Sequence, residues 1–320
     1  MFEGSQFRCC KPEETYTNHT MGAKQSRDMA VGLVFFNPAK SKRLLMNYLY
    51  VWNTLKVQGL PVFTLELVFG DAQPEIKKAF HVRGNSYMFH KERLCRLLEE
   101  RIPKQYKKLV FLDADVVFDE PKWYEETSKL LDEYEVVQPF TRAHWLDLTY
   151  TNIELSRETV LHMKGNAWDF KYHPGFAWAF QRKWYNEVGF FDWAVTGSGD
   201  TLSTAKWLNK GFPEKFKSLP MAMKRAYAAY RKLEPPTITC REGDIFHLYH
   251  GSRKKRQYSE RHHLLDVNED IQEMITLNED GVYEWKNAKW NVVLYDYFKN
   301  REDDDLSGEP LVPAQIQLTS

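Results

Sequence analysis

The sequence predicts an α/β fold in which a parallel sheet is crossed by helices. Three observations carry this. Short apolar runs rich in Val, Phe and Leu alternate with helical patterns over the first 120 residues. Each run is closed by a turn signal. One of them, Leu109–Phe118 (LVFLDADVVF), carries two carboxylates one residue apart, Asp113 and Asp115. Charges set into such a run are costly to bury unless a positive partner neutralises them.

Taken in order, 1–28 reads as a loosely ordered lead-in. Met29–Asn37 (MAVGLVFFN) is the first strand, stopped by Asn37-Pro38. Ser41 is placed to cap a helix in which Leu44, Leu45, Tyr48, Leu49, Trp52 and Leu55 recur at helical spacing, and Gly59 ends it. Pro61–Phe69 is a second strand closed by Gly70-Asp71. A helix over 88–101, with Leu94, Leu97 and Leu98 on one face, stops before Pro103 and leads into the Asp-Ala-Asp strand. This makes 29–140 a Rossmann-like nucleotide-binding half. No G-x-G-x-x-G follows the first strand and no P-loop is present, which argues against dinucleotide and P-loop chemistry. Residues 141–300 form a second, aromatic-rich half. It includes an amphipathic stretch over 214–233, with Phe216, Leu219, Met223, Tyr227 and Tyr230 in phase, and a short strand at Ile245–Tyr249. The acidic tail from Arg301 to 320 is expected to be flexible.

Bulk composition narrows the function. Lys+Arg and Asp+Glu both number 44 in 320 residues, so no polyanion-binding surface is indicated and nucleic acid is not an expected partner. The four cysteines are irregularly spaced, with no disulfide framework. No leader-like apolar region opens the chain, and no segment approaches the ~20 apolar residues of a membrane span. A cytoplasmic location is expected.

Four features carry chemistry. An Asp-x-Asp at the end of a strand can present oxygen ligands to Mg²⁺ or Mn²⁺, although alone it also fits a solvated turn with capping acids. His247 and His250 bracket the end of an apolar strand. With extended parity His250, followed by Gly251-Ser252 and the run Arg253-Lys254-Lys255-Arg256, is the expected metal ligand. Gly197-Ser198-Gly199-Asp200 places an acid at a helix start, where it is either a plain N-cap or a general base. In His173-Pro174-Gly175-Phe176-Ala177-Trp178, Gly175 permits close backbone approach, and Trp178 or the nearby Trp168 has an apolar face that can stack on a sugar.

In this order the pieces resemble the GT-A glycosyltransferases. Asp113-Ala114-Asp115 is similar to their DxD motif, Gly197–Asp200 to the acidic acceptor loop of inverting members, and His250-Gly251 to a late metal-binding histidine. The pattern spans about three quarters of the chain, and its cast also resembles glycosyltransferases of large DNA viruses and phages. The resemblance implies a single-domain, mixed but mostly parallel sheet flanked by helices. It further implies a nucleoside-diphosphate-sugar donor, UDP most commonly, with Mn²⁺ or Mg²⁺ held by Asp113, Asp115 and His250. Asn37, Glu66, Lys91, Arg93, Ser252, Arg253, Lys254 and Lys255, together with Asp113, are the implied donor contacts. His173, Gly175, Trp178, Trp168 and Gly199 would face a glycan or glycoconjugate acceptor, and Asp200 would take the acceptor's proton, giving inversion. Two other readings use parts of the same set: a sugar-phosphate nucleotidyltransferase and a non-catalytic carbohydrate-binding protein. The first would place a glycine-rich loop where this chain has Asn37-Pro38-Ala39-Lys40.

Overall fold

The computed structural model describes residues 27–305 except 166, 168, 170, 211–220, 258, 259 and 266. The chain begins with β1 (Met29–Phe36), α1 (Lys42–Val57), β2 (Val62–Phe69), β3 (Phe80–Gly84), α2 (Lys91–Arg101) and β4 (Lys108–Leu112). Then come β5 (Val116–Phe118), α3 (Trp123–Leu130), β6 (Val136–Gln138), β7 (Arg142–Leu146), β8 (Ile153–Glu158), β9 (Ala177–Gln181), α4 (Arg182–Glu187) and α5 (Gly199–Trp207). The remainder is α6 (Lys224–Tyr230), β10 (Ile238–Cys240), β11 (Asp244–His247), α7 (Ile271–Met274), β12 (Ile275–Leu277), β13 (Tyr283–Trp285) and α8 (Ala288–Asn300).

Seven strands form the main sheet in the order β10-β6-β9-β4-β1-β2-β3. Every pairing is parallel except those of β9, which runs antiparallel to both β4 and β6. This is the mixed, mostly parallel sheet flanked by helices that the sequence implies, and strands from both halves of the chain share it. A smaller sheet, β5-β11-β7-β8, lies beside it, and β12 pairs with β13.

The apolar runs are continuous because both faces of the main sheet are covered. Along β4, Leu109 and Phe111 enter one core with Leu94, Leu97 and Leu98 of α2, whereas Val110 and Leu112 enter the opposite core with Tyr48, Val51 and Leu55 of α1. Each such side chain contributes roughly 1.5–3 kcal/mol when fully buried. Gly32 in β1 makes room for this packing: a Cβ there would sit 2.6 Å from the Phe111 ring.

Local signals explain the boundaries. Ser41 caps α1, its hydroxyl accepting from the Leu44 N–H at 3.1 Å, and Gly59 turns the chain at φ +69°. The buried face of α1 is Asn47, Tyr48, Val51 and Leu55; Leu49, expected on that face, is half exposed. β4 ends at Leu112, so the Asp-x-Asp follows the end of a strand as expected, and the chain then changes sheets through a turn at 113–115 into β5. Met223, Tyr227 and Tyr230 of the stretch expected over 214–233 are buried, on a 3₁₀ turn and on α6. Phe216 and Leu219 lie outside the described residues. Arg301–Asp305, expected in a flexible tail, are packed, with Asp303 only 5% exposed.

Arg182 joins α4 to the end of α2. Its guanidinium donates to Glu99 Oε1 at 2.5 Å and to the carbonyls of Glu99, Ile102, Pro103 and Tyr106 at 2.6–3.1 Å. This satisfies carbonyls that a helix C-terminus leaves unpaired. Replacing Arg182 by Ala leaves the buried Glu99 carboxylate with the mostly exposed Lys104 at 3.4 Å as its ion partner, so urea denaturation is expected to show a loss of about 3 kcal/mol.

Candidate active site

The turn Asp113-Ala114-Asp115 is stitched from both sides. The Asp113 N–H donates to the Phe176 carbonyl at 2.8 Å, and the Leu248 N–H donates to the Asp115 carbonyl at 2.7 Å. The turn therefore sits at the C-terminal edge of the parallel strands, where open α/β sheets bind ligands. Phe176 holds φ +74°, a left-handed conformation uncommon for a bulky residue.

The two carboxylates face different partners. Asp115 Oδ2 lies 2.9 Å from His250 Nε2 and 3.6 Å from His247 Nε2, and the two imidazole nitrogens are 3.2 Å apart. Asp115 Oδ1 is buried with no hydrogen-bond partner. One ligand atom from each of Asp115, His247 and His250 falls within 4.8 Å of the others. Burial opposes ionisation of Asp115, but His247, His250 and Arg256 beside it hold its carboxyl well below the usual carboxylate range. Burial pushes His247 well below the usual imidazole range, which leaves its lone pair open to a ligand.

His247 was the less expected histidine, because extended parity put it opposite His250. That parity fails because β11 ends at His247, and the chain turns before reaching Gly251 at φ +82°. Asp113 is not part of this cluster. Its carboxylate is ion-paired with Lys91, which α2 projects from the neighbouring layer.

A carboxylate with a spare buried oxygen and two converging imidazoles fits a divalent cation. Two nitrogen ligands suit Mn²⁺ better than Mg²⁺, which prefers oxygen alone. His250 also has a partner on its far side: Nδ1 lies 3.2 Å from Asp303 Oδ1, and Arg256 donates to the His250 carbonyl at 3.0 Å. Neither Asp303 nor Arg256 stood out as a site residue in the sequence.

Next to the turn is a half-buried charge cluster. Burial would lower the Lys91 pKa, but Asp113, Asp200 and Glu92 around it raise it and keep it protonated. Burial, partly offset by Lys91, pushes Asp113 up to about 6. Glu92, also on α2, is pushed up to about 8 by burial, with Asp200 adding to the effect. One ammonium cannot neutralise three carboxylates, and Glu92 keeps its proton.

Asp200 stands in the first turn of α5, where Oδ1 accepts from the Thr201 N–H at 2.7 Å. A Cβ on Gly175 would meet Asp200 Oδ2 at 2.3 Å and His173 Nε2 at 3.3 Å, and a Cβ on Gly199 would meet the Glu92 carboxyl at 2.3 Å. The glycines are thus required for close approach. His173 Nε2 is buried without a partner, and burial holds this imidazole down at about 3. His262, a residue the sequence did not single out, braces the loop before Asp200. Its two ring nitrogens lie 3.0 Å from the hydroxyls of Thr196 and Ser198.

A cleft runs from this cluster over the end of β1. Asn37, Pro38, Lys91, Asp113, Asp115, His250, Phe298, Arg301 and Asp303 line it. Other expected contacts are placed elsewhere or otherwise engaged. Asn37 reaches the cleft, but its amide is used on Ser41 and Glu75. Glu66 accepts the N–H groups of Glu75 and Ile76 at 2.7 and 2.9 Å and does not line the cleft. Arg93, two residues on from Lys91 and so on another helix face, donates to the Gly281 carbonyl and lines a separate groove with Asp192 and Tyr283. Ser252 precedes a 3₁₀ turn that carries Arg253, Lys254 and Lys255. Arg253 lies over the Trp145 ring, 5.9 Å from its centroid, Lys254 is exposed, and Lys255 pairs with Glu302 and Asp305. Trp178 is core: it is 2% exposed and packs edge-on against Trp207, because both faces of β9 are covered. Trp168 lies outside the described residues. Phe176 and Trp145, which had no assigned role, lie beside His173 at 3.9 and 4.9 Å between ring centroids.

Among the described residues no helix is long and apolar enough to cross a membrane. No family model matches the sequence, and no curated protein does. Solved structures similar to this chain include a mutant of Drosophila beta1,4-galactosyltransferase 7 in complex with manganese, UDP-Gal and xylobiose, at 10% identity and TM-score 0.39, covering 83% of this chain and 98% of that one. A mannosyltransferase from Pyrobaculum calidifontis in complex with GDP-Man and Mn²⁺ is similar at 13% identity and TM-score 0.41, over 75% of this chain and 62% of that one. A 4-diphosphocytidyl-2C-methyl-D-erythritol synthase from Anaerococcus prevotii is similar at 10% identity and TM-score 0.33, over 68% and 90%. At such identities and scores these likenesses favour no particular reaction.

The raised Glu92 pKa has a stability consequence. The unfolded chain releases this proton near the ordinary 4.5, whereas the folded protein keeps it to about 8. Between those values unfolding is accompanied by proton release, so this group makes stability fall as pH rises. Glu92→Gln is expected to match wild type near pH 4.5 and to exceed it increasingly up to about pH 8. Urea denaturation of both proteins across that range measures the difference.

Proposed function

We propose that this protein is a metal-dependent glycosyltransferase. It would move a sugar from a nucleoside-diphosphate sugar, UDP-linked by preference, to an acceptor hydroxyl with inversion at the anomeric carbon. The observation that carries this reading is the convergence of Asp115, His247 and His250 on one point, with Lys91 lining the same cleft and Asp200 in the charge cluster around Lys91.

In this reading Asp115, His247 and His250 hold Mn²⁺, which when bound supplies positive charge to the diphosphate of the donor. Lys91 adds a fixed ammonium on the same side, and Arg301 extends the basic lining along the cleft. Such charges, held in place before the reaction begins, stabilise the departing phosphate without reorganising. The bond from the anomeric carbon to the phosphate oxygen breaks, and the acceptor oxygen forms the new bond from the opposite face. The acceptor's proton goes to Asp200. His173, held neutral, offers a second polar atom beside Asp200, and Gly175 lets the Asp200 carboxylate pack against the backbone there.

The test is release of nucleoside diphosphate from a panel of nucleotide sugars with Mn²⁺, Mg²⁺ or EDTA. Release from one donor, fastest with Mn²⁺ and abolished by EDTA and by Asp115→Ala, is expected. Asp200→Asn is expected to lower kcat by roughly a hundred- to ten-thousand-fold while leaving donor KM little changed. Pyrophosphate release from a nucleoside triphosphate and a sugar phosphate would instead indicate a nucleotidyltransferase. Metal-dependent glycan binding without any release would indicate a binding protein.

A further inference from the structure

We infer that Asp303 is a positioning residue for the cation site: its carboxylate fixes the proton of His250 on Nδ1 and so makes Nε2 the metal-binding atom. The inference rests on the cation site proposed above and adds to it the segment that completes it.

A neutral imidazole carries one proton, and whichever nitrogen bears it cannot bind a metal. His250 Nδ1 faces Asp303 Oδ1 at 3.2 Å, and its Nε2 faces Asp115 Oδ2 at 2.9 Å and His247 Nε2 at 3.2 Å. An ionised carboxylate only accepts hydrogen bonds, so each side of the ring competes for the single proton. Asp303 is 5% exposed, and Arg301 Nη2 also donates to its Oδ1 at 2.9 Å, which keeps the carboxylate charged and oriented. With the proton on Nδ1, the Nε2 lone pair faces Asp115 and His247, an arrangement that a cation between them would satisfy. Carboxylate–histidine pairs of this kind orient metal-bound histidines and raise their basicity.

The surrounding segment is built to hold Asp303 there. Asp304 accepts from the Ser41 hydroxyl and from the N–H groups of Lys42 and Arg43 at 2.8–3.1 Å, tying the segment to the start of α1. Lys255 bridges Glu302 and Asp305 from the other side. Gly251 lets the segment cross the turn after His250, since a Cβ there would meet the Glu302 carbonyl at 2.9 Å and Asp303 Cα at 3.1 Å. The glycine after the histidine therefore serves this crossing.

Mn²⁺ affinity, read from the free-ion electron paramagnetic resonance signal, tests the inference without any turnover. Asp303→Ala is expected to weaken Mn²⁺ binding by roughly 10–100-fold, with Asp303→Asn, which keeps a neutral acceptor, falling between it and wild type. Asp304→Ala loosens the anchor on α1 but leaves the Arg301 and Lys255 contacts of the segment, and is expected to lower Tm and to weaken Mn²⁺ binding less than Asp303→Ala does. In ¹⁵N NMR of the metal-free protein, recorded at a pH where the ring carries one proton, His250 is expected as the Nδ1–H tautomer in wild type and as a mixture in Asp303→Asn. Wild-type affinity in both Asp303 variants overturns the inference. Failure of the underlying reading has a different signature: wild type itself then binds Mn²⁺ no better than His250→Ala.

Discussion

Two carboxylates at the seam between two sheets impose the constraint on which the rest of this architecture depends. An ion moved out of water into a protein interior carries a penalty of several kcal/mol unless charges and hydrogen bonds replace its hydration. Asp113 and Asp115 are placed at that seam because β4 belongs to the main sheet and β5 to the smaller one. The chain must turn between the sheets, and the turn presents the carboxylates to opposite sides. α2 answers Asp113 with Lys91, and the end of β11 answers Asp115 with His247 and His250. The last described residues then answer His250 with Asp303. Separate elements are thus brought to one point by the need to neutralise two acids.

The same region holds backbone in conformations that ordinary residues seldom adopt. Phe176, whose carbonyl receives the Asp113 N–H, sits at φ +74°, and Ser198, just before α5, sits at φ +67°. Left-handed conformations at non-glycine residues cost of order 1–3 kcal/mol each and persist where surrounding contacts over-determine them. Here those contacts are present. Phe176 stacks on His247 at 4.9 Å, and the Ser198 hydroxyl is 3.0 Å from His262. Stability is spent on loop geometry that fixes Asp200 and the DAD turn relative to each other, as a site working by fixed charges requires.

Much of this was legible in the sequence, for physical reasons that also explain the rest. β1, β2 and β4 announce themselves because strands covered on both faces must be apolar throughout. Gly175, Gly199 and Asp200 were visible because close backbone approach demands glycine and leaves few substitutes. His247 was set aside on strand parity, which holds only while the chain stays extended. Arg93 was grouped with Lys91 although two residues along a helix turn a side chain to another face. Trp178 drew attention as a platform because a tryptophan is equally useful in a core, and only the sheet order decides which. Asp303 was hidden in a run of acids that reads as a solvated tail. Its burial depends on Ser41, Lys255 and Gly251, which are remote in sequence and supply the partners. β3 lacked an apolar run because, as an edge strand, it buries only Val82 and Gly84.

The central claim is that Asp115, His247 and His250 form one cation site. It is tested most directly by a crystal structure of the protein with Mn²⁺ and a nucleoside diphosphate, using anomalous scattering at the manganese edge. The account predicts a single strong peak within ligand distance of Asp115, His247 Nε2 and His250 Nε2, with the diphosphate between it and Lys91. A peak at Asp113 without the histidines, or no peak in crystals that hold the nucleotide, would contradict it.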